Sequence, residues 1–505
     1  SVAVKDGRIE AVGTWKELEN LENVHTKVID LDGKTVVPGF IDAHQHIVSF
    51  GFNLLNVNCR VSSIKEMVHA IEERSKTLEP DEWIIGFGFD EANYVEGRLP
   101  HKDDFSHIKN PIYITRFCLH SAIVNDRALE LAGVTEETEY GSDGEIDKDK
   151  QGVTGILREG AMDLVRKIIP PYNIAQIKKA IKLASNHYIK EGITGVHEAG
   201  MGFFTDSLEE FTALKEMSAN NDIDVRIYGM ILEKFWDQLQ EQNLLTDVEN
   251  DFFKIGSIKL FSDGALSSQT AAVMNDYVEP AGTKGLFMYE KEELEAKVLR
   301  AHKAGKQLAI HAIGDAAVDV VTGAYEKAIA AYPREDHRHR IEHCGIVNEQ
   351  LLDRIEKANV IPVPHPGIVF VAGDVYKKVL APEVLIGLYN TKTFIERGLQ
   401  PAFSSDNPVV PSAPLYNIYA AITRETSSRD VIVEEQKISI YDAVKMYTKN
   451  AARAAFNEME QGTICPGKYA DFVVLPEDFM NFSPKQVKDA EIEMTIVNGK
   501  IKFSK

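Results

Sequence analysis

Cysteine is scarce in this chain, with four in 505 residues. Cys59, Cys118, Cys344 and Cys465 stand far apart and form no Cys-x-x-Cys pair, so neither a disulfide framework nor a structural zinc site is indicated. A reducing cytoplasm is the expected compartment. Positive charge is also in deficit. Lys and Arg total 56 against 77 Asp and Glu, and a net charge of -21 argues against a phosphate-backbone partner, so no nucleic acid is expected. The surplus acid reads as a solvated surface. No apolar run approaches the ~18 residues of a membrane helix, so no membrane partner is expected. What these absences leave is a soluble globular chain, 44% apolar and long enough for a large core and more than one structural unit. It begins at Ser1 inside an apparent strand, so some native N-terminus is expected to precede it, and whether a signal peptide was removed stays open.

The most informative stretch that is present runs from Val37 to His46, an apolar strand with a Pro-Gly turn that ends in His44-Gln45-His46. Side chains two apart on a strand share a face, so both imidazoles can aim at one point, as a transition metal requires. Four later apolar runs end in a ligand-type residue: Lys259, His311, His343 and Asp406. In a barrel of parallel strands the catalytic residues sit at the C-terminal ends of several different strands. The order His-x-His, Lys, His, His, Asp is the order in which successive strands would donate to one site.

Strand-like runs alternate with amphipathic helical stretches such as 292–303 and 348–358, the pattern of an α/β barrel. Eight barrel strands are expected, at 39–46, 193–198, 224–230, 256–261, 307–312, 339–344, 360–365 and 401–406. Far more chain separates the first two than a βα connection needs, so 51–190 reads as an inserted unit with its own elements. These are helices at 64–78 and 174–190 and strands at 83–89 and 112–116. Both chain ends carry hairpin signals, Asp6-Gly7 near the start and Asn498-Gly499 near the finish. Neither end buries a face alone, so the two are expected to pair. The division expected is a composite β-sandwich (1–37 and 448–505), a metal-binding (β/α)8 TIM-like barrel (38–50 and 191–447) and the insertion (51–190) as a lid that sets substrate specificity.

Taken in order, the fragments Pro38 to His46, Ser262-Asp263-Gly264-Ala265-Leu266, Ile310-His311-Ala312-Ile313-Gly314-Asp315, Ile341-Glu342-His343-Cys344, Ser405-Asp406 and Gly467-Lys468-Tyr469-Ala470-Asp471 resemble the amidohydrolase superfamily of metal-dependent hydrolases, in the family 3 branch that is similar to N-substituted formamide deformylase. The resemblance implies the same composite β-sandwich and a divalent metal, zinc or a similar ion. The metal ligands expected are His44, His46, Lys259, His311, His343 and Asp406. Lys259 is the odd member, since an ammonium repels cations; the resemblance implies a carbamylated Lys259 whose two oxygens bridge two ions. The same residues also suit one ion held by His44, His46, His311 and Asp406, so one or two ions per chain both stay open. A homodimer is a family-based expectation.

The function expected is hydrolysis of a non-peptide C–N bond in an amide, formamide or cyclic amide by metal-activated hydroxide, with Asp406 as general base and then proton donor to the leaving amine. His120, which resembles a pocket-facing family segment on the insertion, and His197, Asp263 and His365 at or beyond strand ends are candidate contacts to a small-molecule substrate. Asp263 and Asp315 are also placed to orient ligands. Gln269 stands where the family pattern often has arginine, so substrate identity does not transfer. Lactone or carbamate hydrolysis, or isomerisation, would use the same ligands, while a catalytically silent binding relative would be expected to have lost some of them.

Overall fold

In the computed structural model of the chain, the residues described are 1–116, 120–141, 144–150, 152–242, 249–278 and 282–505; Cys118 lies outside them. Two compact units emerge, residues 1–49 with 181–505 and residues 50–180.

The first unit is built on seven parallel strands, in chain order β1 (Phe40–Gln45), β2 (Ile193–Met201), β3 (Arg226–Leu232), β4 (Phe253–Phe261), β5 (Leu308–Ala312), β6 (Arg340–His343) and β7 (Ile361–Val363). Each pairs with its predecessor, so the sheet runs from β1 to β7 without a crossing. Buried apolar residues fill most of the strand positions, as expected where helices cover a parallel sheet. The expected eighth strand at 401–406 does not form a regular ladder. It still bridges the two edges: Ala402 N–H donates to Pro362 O at 3.2 Å, Ala43 N–H to Phe403 O at 3.0 Å and Asp406 N–H to His44 O at 2.8 Å. Pro362 on β7, Pro364 just beyond it and Pro401 on the segment offer no N–H, so regular pairing fails on that side. Apolar packing replaces it, with Ile41 and Ala43 of β1, Ile361 and Val363 of β7, and Ala402 in one cluster with Ala451, Ala452 and Ala454.

The chain ends meet. Thr35–Pro38 pairs antiparallel with Phe472–Leu475, which continues into Met494–Val497 and Lys500–Ser504 as a four-stranded sheet. Val2–Lys5 and Arg8–Val12 form a separate ribbon that closes at Lys5 opposite Arg8. Its turn has Asp6 and Gly7 at φ 50° and 79°, and the C-terminal turn has Asn498 and Gly499 at 53° and 71°, the left-handed pairs that tight hairpins select. The second unit carries a six-stranded sheet of its own, including Ile84–Phe89 and Ile112–Arg116, with helix Ile64–Ser75 packed on it.

Away from the strand C-termini, His302, His337 and His339 form a buried network. Leu308 N–H donates to His339 Nδ1 (3.0 Å) and His339 N–H to His337 Nδ1 (3.0 Å), so both δ nitrogens are acceptors. His339 Nε2 then donates to His302 Nδ1 (2.8 Å), and the remaining ε nitrogens donate to the carbonyls of Tyr332 (2.7 Å) and Ala358 (3.0 Å). Protonating any of the three breaks one of these bonds. Burial lowers all three pKa values, His337 to about 4. The unfolded chain therefore binds protons that the folded chain refuses below the ordinary histidine range. Stability is full above pH ~6.5 and falls as the pH drops toward ~4, with His337 contributing at most about 1.4 kcal/mol per pH unit and His302 and His339 acting in the same direction. Denaturant unfolding between pH 7.5 and 5 is expected to show this fall, and replacing His302 and His337 with glutamine is expected to flatten it.

Candidate metal centre

β1 delivers the first histidines. Asp42 and His44, two apart, turn into the barrel, and His46 follows just beyond the strand. The buried Asp42 carboxylate accepts Ser405 N–H (3.1 Å), Ser405 Oγ–H and His44 N–H (3.2 Å), tying the irregular 401–406 segment to β1. Burial pushes the Asp42 carboxyl up to about 7 against these bonds.

His44 is fixed from behind. Its Nδ1 donates to the Glu342 carboxylate, which also accepts Arg340 Nε (2.7 Å) and one terminal guanidinium nitrogen (2.9 Å). Arg340 further donates to Ala43 O (2.6 Å) and to His197 Nδ1 (3.0 Å). Arg340 and Glu342 are wholly buried. Burial alone would raise the Glu342 carboxyl, but Arg340 and then His44 hold it far below the ordinary range. A carboxylate on Nδ1 fixes the His44 tautomer with Nε2 free to ligate, the arrangement typical of metal-binding histidines.

Asp406 faces that nitrogen. Its Oδ1 lies 3.4 Å from His44 Nε2 and 3.3 Å from His46 Nε2. Despite burial, the two imidazoles beside it hold the Asp406 carboxyl well below its usual pKa. Glu198 on β2 lies 3.8 Å from His46 Nδ1 and accepts Ile47 N–H at 2.6 Å, so it braces the turn that carries His46. Phe203 stacks between His46 (5.2 Å) and Phe261 (5.3 Å) as an exposed aromatic wall.

The other strands converge on the same point. The ring of His343 is 5.1 Å from that of His44, 4.3 Å from that of His311 and 4.2 Å from that of His365. Strict strand alternation would send His343 to the opposite face from Glu342; φ of 68° at His343 and 46° at Cys344 turns it back. Asp406 likewise has φ 57°. Lys259 Nζ is buried with no hydrogen-bond partner and lies 4.8 Å from the centre of the Phe261 ring. Burial brings its pKa down to about 8.

Among the described residues two groups have donor atoms close enough to share one cation, His44 with His46 and Asp406, and His44 with His343 and His365. Imidazoles with one carboxylate suit zinc and related divalent ions. Asp263 accepts the amides of Ala272 (3.0 Å), Ile313 (3.1 Å) and Gly314 (2.9 Å) and lies 3.3 Å from His311 Nε2. His197 is buried against Arg340, and Asp315 accepts Met274 N–H at 2.8 Å. His120 belongs to the second unit, where it is exposed and 3.1 Å from Glu159. Sequence reasoning passed over Arg340, Glu342 and Glu198. Their signal was charge inside strands that otherwise read as buried.

The chain is similar to YtcJ of Bacillus subtilis, at 29% identity over 519 residues that cover 100% of this chain and 96% of that protein. It is also similar to the N-substituted formamide deformylase of Arthrobacter pascens, at 26% identity covering 100% of this chain and 95% of that one. Among solved structures it is similar to an uncharacterized metal-dependent hydrolase from Pyrococcus horikoshii, with a TM-score of 0.78 and 25% identity over 96% of this chain and 95% of that chain. The amidohydrolase family matches residues 27–503, nearly the whole chain. With imidazoles, a lysine and a carboxylate gathered at its barrel mouth, the chain belongs to the amidohydrolase family and is a hydrolase acting on carbon–nitrogen bonds other than peptide bonds.

Proposed function

We propose that this hydrolase cleaves an amide, formamide or cyclic amide with a divalent metal, zinc by preference, held by His44, His46 and Asp406, with Lys259 and His343 of the same series as further donors. The observation that carries the reading is the single Asp406 oxygen poised between the Nε2 atoms of His44 and His46. A divalent cation bound there supplies Lewis acidity, which acidifies water and polarises a carbonyl. Asp406 accepts the proton of the attacking water on its carboxylate and returns it to the nitrogen of the leaving amine. Glu342 keeps the Nδ1 proton on His44, and Arg340 keeps Glu342 ionised. His197 and Asp263 support these groups from behind. The lowered pKa of Lys259 leaves a share of neutral amine near neutral pH, which can add CO2 to form a carbamate with loss of one proton.

Several finer points belong to the same reading. The ribbon and the four-stranded sheet are taken as two layers of one β-sandwich, and 401–406 as the eighth barrel strand. The inserted residues, with His120, are assigned to substrate choice. A cytoplasmic homodimer follows from the cysteine pattern and the family resemblance.

Protein stripped with chelator and reloaded with zinc and bicarbonate is expected to release amine from at least one member of a panel of N-substituted formamides, acyl amides and cyclic amides. Turnover confined to lactones or carbamates, or absent from fully loaded protein, would contradict the reading. With 13C-bicarbonate, a carbamate carbon resonance is expected in the wild type and absent from Lys259→Met.

A further inference from the structure

The histidine two residues past β7, expected from the sequence to touch substrate, sits in a setting that suits a different role. His365 is 1% exposed, and its Nδ1 lies 2.7 Å from Ser404 Oγ. Ser404 has one hydroxyl proton, and its Oγ sits 3.1 Å from Pro364 O, a group that can only accept. The hydroxyl therefore donates to Pro364, and its oxygen accepts the Nδ1 proton of His365. That fixes the ring with a bare lone pair on Nε2, and this buried atom has no hydrogen-bond partner. An unmet buried acceptor is costly, and native structures seldom leave one without a purpose. The same logic holds for His44, whose Nδ1 is engaged by Glu342.

His311 is the contrast. Its Nε2 lies 3.0 Å from Gly264 O and 3.3 Å from Asp263 Oδ1, both acceptors, so this nitrogen carries a proton and is turned into the loop after β4. His365, not His311, joins His44 and His343 in the second group of converging donors.

We propose that His365 is itself a metal ligand, completing a three-imidazole site with His44 and His343, and that His311 is not the third donor of that site. Three neutral imidazoles favour a borderline-soft divalent cation such as zinc or cobalt(II) over magnesium or calcium. Ser404 is the positioning residue, acting through the tautomer of His365. The inference rests on the reading that the protein takes up a divalent metal.

Cobalt(II) is the probe. Chelator-stripped wild type, His365→Ala, His365→Gln, His311→Ala and Ser404→Ala are titrated with it, bound cobalt per chain is measured by elemental mass spectrometry, and the visible absorption of the bound ion reports its ligand field. Circular dichroism and melting establish that each variant is folded. Both His365 variants are expected to lose one equivalent, or at least tenfold in affinity, with a changed spectrum. His311→Ala is expected to keep the wild-type content and spectrum, and Ser404→Ala to weaken uptake by about tenfold. Folded His365 variants that retain wild-type cobalt and spectrum, with His311→Ala losing them, would overturn the assignment alone. A wild type that takes up no cobalt would overturn the functional reading beneath it.

Discussion

Asp406→Asn is expected to lower turnover of the enzyme's best amide substrate by about a thousandfold, the scale set by loss of a positioned proton acceptor. Asparagine is nearly the same size and can still accept one hydrogen bond at Oδ1, so the fold is expected to survive. What it loses is the charge that His44 and His46 share at 3.4 and 3.3 Å and the basic oxygen that receives a proton. Both kcat and metal affinity should fall. Steady-state kinetics at saturating metal separates the two. A variant that recovers full turnover once metal is raised would show that Asp406 only ligates and does not carry the proton.

The second large effect is on stability and comes from Arg340. Replacing it with methionine leaves Glu342 ionised and wholly buried, with only His44 as partner. Breaking one side of a buried pair costs about 3–5 kcal/mol, whereas replacing both charges by apolar groups is often close to neutral. Arg340→Met is therefore expected to lower the unfolding free energy by about that amount, and Arg340→Met with Glu342→Leu to recover most of it. The double variant is not expected to recover activity, because His44 Nδ1 then has no acceptor to fix its tautomer. Urea unfolding of the three proteins, with amine release assayed in parallel, tests both halves. Equal loss of stability in the single and double variants would mean that packing, and not the uncompensated charge, sets the cost.

Much of the frame was legible because it rests on strong local signals. The alternation of apolar runs with amphipathic stretches located seven strands that form the barrel sheet, and the Asp-Gly and Asn-Gly pairs marked turns that do adopt left-handed backbone. His44 and His46 were readable because an ordinary strand pleat keeps residues two apart on one face. The segment 401–406 was harder. Its neighbours' prolines remove donors, so its place in the barrel depends on Asp42 gripping Ser405 across more than 360 positions of sequence. His343 and Asp406 reach the centre through positive φ, which no side-chain period announces. Arg340 and Glu342 were passed over in the sequence, and only the assembled barrel shows them as the charged pillar behind His44. The chemical difference between His311 and His365 was also out of reach, because tautomers are set by hydrogen-bond partners that spacing does not supply.

Metal content tests the central claim most directly. Protein purified without chelator is measured by elemental mass spectrometry, stripped, and measured again alongside its rate of amine release. At least one equivalent of zinc or a related divalent ion per chain is expected, with activity lost on stripping and restored in proportion to the metal returned. A stripped protein that hydrolyses amides at the original rate, or a folded protein that neither holds nor regains metal, would contradict the role assigned to His44, His46 and Asp406.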